Sequence, residues 1–538
     1  MAFAFGLLVL GAIVIGGIAL ARRFLGNRDE GADDGGDVLA YLLLALAVGT
    51  AGFALASLAA TAFPGDDFVV DVRGQVANSL AALVVSVPIA VFLWRRQERR
   101  RTHFPASSGW TVYLTLIEAV FMTSLVAALF GLFEWIFADS EGVAWTNIIV
   151  FGGIVVFHEW ATSRTSPESD ARSLPRVAGS AIGLITTLIG LGGLVGWLLS
   201  EVYSTLAPTA GGSDLGIWVS FLLAGAPVWW YRWLRPWSSE SDTPRSAWLF
   251  LVSVAGLTTA LAAMATLSIL VLTFLFTDTE PAGTYFEAAP LTLSVALVAS
   301  LAWIHHRHRL GSDRTEPVRA YDYAMTAIGL ATTVGGASAL SAVALGPADL
   351  VGSGSDAVIA VTVALIVGAG VWLAFWTRAS NFPRETEASS TPRRVYLIGM
   401  SVILGLVSAG ALIAVLVIIF QRLLDTGGTE SIMIPISLFA FAGLATWHLL
   451  RVNAADRELI GSEETLTPFS VTLICSHPGM VSARFPDVAR IRVIYRSDDV
   501  GVIQDDMADE IVAAVSNQSS IVWVDEDGFR VAPARSAT

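Results

Sequence analysis

An apolar hairpin that recurs six times is the feature that most constrains how this chain folds. Each copy occupies about seventy residues and ends on a Trp followed closely by an Arg. The six endings are Trp94-Arg95, Trp160 to Arg164, Trp230 to Arg232, Trp303 to Arg307, Trp376 to Arg378 and Trp447 to Arg451. Repeated apolar segments of this length predict a multi-pass membrane protein with an internal repeat.

The composition excludes a soluble protein. A chain of 538 residues could form three or four soluble domains, but 54% of its residues are hydrophobic, only 14% are charged, and the mean hydropathy is +0.66. Every one of the 32 basic residues is Arg. The single cysteine, Cys475, excludes an intramolecular disulfide and a zinc site built from cysteines.

Thirteen apolar runs reach the length of about 20 residues that a spanning helix needs. They lie near 3–21, 38–63, 76–94, 109–137, 143–161, 176–206, 215–234, 245–276, 288–305, 320–346, 355–376, 393–424 and 431–450. We therefore predict an all-α polytopic bundle of about 13 transmembrane helices. Residues 1–25 form an N-terminal anchor, and 38–451 form six hairpins. Ala19-Leu20-Ala21 resembles a cleavage site, so removal of the first helix stays an alternative.

The connections between the runs differ in charge. One set holds arginine clusters such as Arg99-Arg100-Arg101 and Arg393-Arg394, whereas the other holds acids such as Asp66 and Asp67. By the positive-inside rule the arginine-bearing set is cytoplasmic. The expected location is a bacterial inner membrane, with the N-terminus outside and the C-terminus in the cytoplasm.

Interfacial anchoring and helix packing explain most of the repeated residues. The tryptophans that end the hairpins are predicted to be anchors at the membrane interface. They are Trp94, Trp160, Trp230, Trp303, Trp376 and Trp447. Glycines at four-residue spacing, Gly179 with Gly183 and Gly192 with Gly196, predict close helix crossings.

The chain after residue 451 has a different pattern. We interpret 452–466 as a polar linker and 467–538 as a small cytoplasmic α+β domain. Alternation predicts strands at Phe469 to Ser476 and Arg490 to Tyr495, and a hairpin from Ser520 to Ala532 that turns at Asp527-Gly528. Between them, Gln504 to Val515 has a helical pattern. A protein partner that binds through 467–538 is expected.

Glu118 is the leading functional candidate, because a carboxylate in the hydrocarbon costs about 2.5 to 3.5 kcal/mol on insertion scales. It is either a protonatable or cation-binding group that faces an interior cavity, or a protonated carboxyl bonded to Ser or Thr hydroxyls of a neighbouring helix. Weaker candidates are Glu134 and Glu201 near outer helix ends, and His158 and Glu159 near the inner interface.

The sequence predicts no catalytic residue, metal site or cofactor. Cys475 and His477 would share one face of a strand, but no third group orients them. His305 and His308 are too few ligands for a metal ion. The acids of 498–510 lack the spacing of a calcium loop, and no basic patch with interleaved aromatics indicates nucleic-acid binding.

Three segments resemble a known bacterial family. They are Pro-Arg-Arg-Val-Tyr-Leu at 392–397, Ala-Pro-Val-Trp-Trp-Tyr-Arg-Trp at 226–233 and Val-Pro-Ile-Ala-Val-Phe-Leu-Trp-Arg-Arg at 87–96. With the long helices beside them they resemble the multi-pass membrane family catalogued as domain of unknown function 5671. The resemblance covers about 38–451 in repeated copies and implies no activity.

Two classes of function remain. Scarce intramembrane charge favours a non-enzymatic membrane scaffold or sensor whose terminal domain reads or relays the state of the bundle. The alternative is a transporter or channel for a small solute or ion, lined by Glu118 and by the helices that contain Pro88, Pro227, Pro290 and Pro435. A polar, water-accessible cavity around Glu118 would favour transport, and a tightly packed bundle would favour the scaffold.

Overall fold

A computed structural model describes most of the chain. The described residues are 34–62, 72–103, 108–138, 145–165, 173–206, 215–233, 243–277, 281–345, 355–424, 431–462, 469–475, 489–495, 505–515, 519–525 and 528–533. The predicted first helix, with its N-terminal anchor and possible cleavage site, lies outside them.

Twelve long helices fill the described part of residues 34–462. They are α1 (Asp34–Ala62), α2 (Val72–His103), α3 (Ser108–Phe137), α4 (Trp145–Thr165), α5 (Ser173–Leu206), α6 (Leu215–Trp233), α7 (Thr243–Thr277), α8 (Ala289–Leu310), α9 (Glu316–Leu345), α10 (Ser355–Ser380), α11 (Thr391–Leu423) and α12 (Met433–Ser462). Each coincides with a predicted apolar run. Short helices at Ala282–Tyr285 and Arg384–Ala388 lie in two of the connections.

Ten of these helices are long and apolar enough to cross a membrane, and α4 and α6 are not among the ten. Large apolar side chains on them point outward, as at Val84, Phe276 and Leu406, which are 71%, 74% and 69% exposed. Contiguous exposed apolar surface of this extent requires lipid around it. The chain is therefore an all-α membrane bundle followed by a small α+β domain.

Successive helices pack as antiparallel pairs. A Cβ atom placed on Gly183 of α5 would lie 2.4 Å from the backbone nitrogen of Trp229 in α6, and one on Gly190 would lie 2.4 Å from that of Leu222. The two contacts run in opposite directions along the two helices. Gly183 and Gly190 thus let the two backbones approach closely. Gly183 is one of the glycines whose four-residue spacing predicts a close helix crossing. Gly192 takes no part, since a Cβ atom there meets nothing within 4 Å.

Helix α3 is central to the first half of the bundle, because it packs against α1, α4, α5 and α6. Its inward side chains form an aromatic core with the start of α1. Tyr41 lies 5.8 Å from Trp110 and 6.2 Å from Tyr113 between ring centroids, and Phe121 is fully buried in the same cluster. This core positions Glu118, the candidate functional residue, which lies one to two turns beyond Tyr113 along α3.

Helix α12 extends well past the predicted membrane run, which ends near residue 450. It continues to Ser462, so most of the segment interpreted as a polar linker, 452–466, is helical. The reason is local, because Leu444 to Ile460 contains neither Pro nor Gly.

Asp456 on this extension accepts from Nε and Nη2 of Arg384, each at 3.4 Å. Residues 384–389 and 450–538 together form a second compact unit.

The terminal domain contains a four-stranded sheet and one helix. The strands β1 (Phe469–Cys475), β2 (Ala489–Tyr495), β3 (Ser520–Asp525) and β4 (Gly528–Pro533) lie in the order β2-β1-β3-β4. Strand β1 is parallel to β2 and β3, and β3 is antiparallel to β4. The helix α13 (Asp505–Val515) connects β2 to β3. These elements confirm the predicted α+β unit.

One face of this sheet is covered and the other is open. Val471, Leu473 and Cys475 of β1 pack with Ile511 and Val515 of α13, all nearly inaccessible. The alternate residues of the strands point away from the helix. On that open face Ile494, Ile521 and Trp523 are exposed.

Candidate functional site

Glu118 takes part in a buried ion-pair cluster. The Nη2 atom of Arg232 lies 2.8 Å from Oε1 and 3.0 Å from Oε2 of Glu118. The Nη1 atom of the same guanidinium donates to Oε2 of Glu159 at 2.5 Å. One guanidinium fork therefore bridges two carboxylates. The side chains of Arg232 and Glu118 are only 4% and 10% exposed, so neither charge is screened by bulk water.

Four helices build this cluster. Glu118 lies on α3, Glu159 on α4 and Arg232 at the end of α6. Gly179 of α5 makes the room, because a Cβ atom there would lie 2.5 Å from Oε1 of Glu118 and 3.3 Å from Cγ of Arg232. The cluster thus joins the second hairpin of the bundle to the third one.

His158 extends the polar network on the neighbouring side. Its Nδ1 atom lies 2.8 Å from the carbonyl oxygen of Ile154, and its Nε2 atom lies 2.7 Å from the hydroxyl of Tyr113. A carbonyl only accepts, so Nδ1 carries the proton. In the neutral ring Nε2 is then the acceptor of the Tyr113 hydroxyl. The buried imidazole is held in one tautomer by two bonds.

A small polar cavity adjoins Glu118. It is lined by Glu118, His158, Glu159, Thr162, Arg176 and Arg232 together with apolar side chains, and its volume is about 30 Å³. That volume holds about one water molecule. The cavity is too small for an organic solute, but a water molecule in it would have several polar partners.

The structure brings three of the predicted candidates together and leaves two apart. Glu118, His158 and Glu159 share the cluster or its cavity. Glu134 lies near the end of α3 and is half-buried, while Glu201 lies near the end of α5 and is exposed. Neither Glu134 nor Glu201 lines the cavity. Both lie near helix ends, where they are predicted to be.

Arg232 is the functional residue that the sequence analysis missed. It was assigned to the basic ending of a hairpin, so neither proposed environment of Glu118 included a guanidinium partner. The structure adds this partner to Glu118, which also lines the small polar cavity. The available signal was local: Arg232 stands between Tyr231 and Trp233 inside an apolar helix, where a lone cation needs a counter-charge.

The six hairpin tryptophans fall into two groups. Trp160, Trp230 and Trp447 are at least half exposed, as interface anchors should be. The other three, Trp94, Trp303 and Trp376, are half-buried against other helices. Trp303 shows why, because its indole Nε1 donates to the Tyr321 hydroxyl at 2.8 Å. These three tryptophans also pack against neighbouring helices, and their role as interface anchors stays a prediction.

An aromatic triad recurs in the two halves of the bundle. In the first, Tyr113 lies 6.2 Å from both Tyr41 and Trp94 between centroids. In the second, Tyr396 lies 5.6 Å from Tyr323 and 6.0 Å from Trp376. Corresponding members are 282 or 283 residues apart. At the same spacing the position of Glu118 is occupied by Ser401, so the ion-pair cluster belongs to the first half alone.

The terminal domain does not form a cysteine-based site among its described residues. Cys475 is fully buried in the core under α13, and burial raises the pKa of its thiol. The predicted neighbour, His477, lies outside the described residues. Throughout the described chain, no three His, Cys, Asp or Glu side chains are grouped as metal ligands would be.

Cys475 provides a direct test of the terminal core. Native chain should react with a maleimide on the order of a hundredfold more slowly than chain in denaturing urea, because access requires an opening of about 3 kcal/mol. The measurement is the rate of mass increase of the full chain, which contains no other cysteine. Equally fast labelling in both states would show that the thiol is not buried.

The helical bundle and its buried charges define a polytopic α-helical membrane protein. The family model described as Domain of unknown function (DUF5671) matches the chain twice, over residues 37–157 and 319–447. The predicted resemblance is confirmed for these two regions, which extend from α1 into α4 and from α9 into α12. The intervening helices α5 to α8 are not matched. No curated protein and no solved structure matches the chain.

Proposed function

We propose that this protein is a non-enzymatic scaffold or sensor of a bacterial inner membrane, whose terminal domain reads or relays the state of the bundle. In this proposal the N-terminus is outside and the C-terminus is cytoplasmic. The asymmetric distribution of arginines between the connections supports this orientation.

The ion-paired state of Glu118 is the observation that carries the proposal. Transport requires a carboxylate that exchanges partners along a wet path. Glu118 is instead held by Arg232, whose Nη2 atom contacts both of its carboxylate oxygens. The cavity beside Glu118 holds only about one water molecule. A charge clamped in this way supports a structural role, in which it fixes the arrangement of α3, α4 and α6.

The six-hairpin repeat is part of the same proposal. Two matches to one family model and the recurring aromatic triad support duplication of a four-helix unit. Helices α5 to α8 alternate between long and short, as α9 to α12 do, which supports a third, diverged unit. A scaffold built from repeated units offers one surface per unit to its partners.

A flux measurement tests the scaffold against transport. Full chain in proteoliposomes with a pH or sodium gradient should leak no faster than protein-free vesicles, and E118Q should not change that rate. The matched control is E134Q, which removes a carboxylate from the same helix outside the cluster. Flux that is present in the native chain, retained in E134Q and lost in E118Q would overturn the scaffold proposal.

The terminal domain is tested separately. Removal of residues 467–538 should leave the thermal unfolding of the bundle in detergent unchanged but abolish retention of a protein partner by the full chain. An Ile521→Asp variant changes only the open face of the sheet and should lose the same partner. Unaltered partner binding by the truncated chain would contradict the assigned role of this domain.

A transporter or channel for a small solute or ion is the second candidate. It is favoured by one observation, that Glu118, Glu159 and His158 share a polar cavity. Three proton-carrying groups around one water site form the minimum of a proton path. The flux measurement with E118Q and E134Q decides between the two candidates.

A further inference from the structure

A second cluster of charges lies at the junction of α8, α9 and α10, distant in sequence from Glu118. Asp322 on the first turns of α9 is completely buried, and its Oδ2 atom is ion-paired with Arg314. The Nε atom of Arg378, near the end of α10, lies 3.5 Å from the same oxygen. One carboxylate therefore faces two guanidiniums.

A third guanidinium belongs to the same neighbourhood. Arg307, near the end of α8, lies over the ring of Tyr321 at 5.2 Å and donates through Nη1 to the carbonyl oxygen of Gly311 at 2.6 Å. Tyr321 directly precedes Asp322 in the chain, so the guanidinium of Arg307 lies in the same region as those of Arg314 and Arg378. Glu316, another acid of this region, is engaged by Arg319 at 2.9 Å. Three guanidiniums thus lie around Tyr321 and Asp322.

The arginines are held in place by their surroundings. Arg314 lies over the ring of Phe382 at 4.4 Å, and Arg307 is fixed by Tyr321, whose hydroxyl in turn accepts from Trp303. Guanidiniums fixed in this way have lost their flexibility before any ligand arrives, which strengthens binding. The side chain of Arg378 remains 45% exposed, and its contact with Asp322 is made through Nε.

We propose that Arg307 and Arg378 form a binding site for a phosphate group at this end of the bundle. A phosphate oxyanion matches the planar fork of a guanidinium, and an exposed arginine such as Arg378 can present that fork to it. The cluster lies where α8 and α10 end and α9 begins, the level at which lipid headgroups meet a transmembrane bundle. The phosphate is supplied either by the headgroup of an anionic phospholipid or by a free phosphate ion.

The site is independent of the proposed scaffold function, because it involves none of the residues around Glu118. It also lies outside the first matched region and uses α8, which neither match covers. A phospholipid bound here would join the unmatched middle helices to the second matched region.

The site is tested on the full chain in detergent with two probes, phosphatidylglycerol and inorganic phosphate. Each probe is titrated while the unfolding temperature of the chain is measured, and bound molecules are counted by native mass spectrometry. R378Q should weaken phosphatidylglycerol binding about tenfold, as expected for loss of one charge-assisted fork. R307Q should weaken it to a similar extent. The matched control is R394Q, which removes an exposed arginine from the first turn of α11.

The two probes distinguish the sources of the phosphate. Saturable binding of phosphatidylglycerol without binding of inorganic phosphate identifies a lipid headgroup, and equal sensitivity of both probes to R378Q identifies a free phosphate ion. The proposal is overturned if neither probe binds the native chain, or if R394Q loses as much affinity as R378Q. Circular dichroism of R378Q and R307Q checks that both variants remain folded. If either folded variant binds phosphatidylglycerol with native affinity, the proposal is also overturned.

Discussion

Replacement of Arg232 by Gln should lower the free energy of unfolding of the bundle by about 3 to 5 kcal/mol, since it leaves the buried Glu118 carboxylate without its cation. The Glu159 carboxylate loses the same partner, but its side chain is 32% exposed and stays in contact with solvent. The measurement is unfolding of the full chain in detergent by heat or by a denaturing detergent. R394Q, which removes an exposed arginine, should stay within about 0.5 kcal/mol of the native chain.

A triple variant separates charge from packing at this site. E118Q/E159Q/R232Q keeps the volumes of the three side chains but removes all three charges. Replacement of a buried ionic group by neutral residues of similar volume is often neutral or stabilising, so most of the lost stability should return. A triple variant as unstable as R232Q would show that lost shape, and not unpaired charge, causes the defect.

Gly190→Ala should destabilise the pair of α5 and α6 by about 1 to 3 kcal/mol, the usual cost of overpacking. The added Cβ atom would lie 2.4 Å from the nitrogen and 2.8 Å from the Cα atom of Leu222. Both are backbone atoms, so the helices themselves must move apart. The effect is measured as a lower unfolding temperature and weaker crosslinking between the two helices.

Gly192→Ala is the matched control, two residues along the same helix. A Cβ atom there meets nothing within 4 Å, and Ala favours a helix by up to about 1 kcal/mol over Gly. This variant should therefore be as stable as the native chain or more so. If the two substitutions had equal effects, the close approach of α5 and α6 at Gly190 would be wrong.

The helices were predictable because the sequence signal for each is long and local. All twelve described helices overlap their predicted apolar runs, and the terminal strands agree to within two residues at the ends of β1 and β2. Apolar length and alternation depend on neighbouring residues alone. Polar composition alone did not predict the extent of α12, because Leu444 to Ile460 contains neither Pro nor Gly and continues the helix past the apolar run.

The functional site was predictable only in part. Glu118 stood out because a carboxylate in an apolar run is costly. Its partnership with Arg232 could not be derived, since 114 residues separate them and nothing local encodes which helices meet. The same limit explains Trp94 and Trp376, whose packing against Tyr113 and Tyr396 depends on the arrangement of whole helices.

The position of Arg232 outside both matched regions has an evolutionary consequence. Glu118 belongs to the first matched region and is neutralised by an arginine from the unmatched helices, while the corresponding residue of the second region is the uncharged Ser401. A descendant that lost the middle helices would keep a carboxylate in lipid without its cation. Deletion of the middle segment is therefore tolerated only together with loss of that acid, and the two traits should be inherited as one.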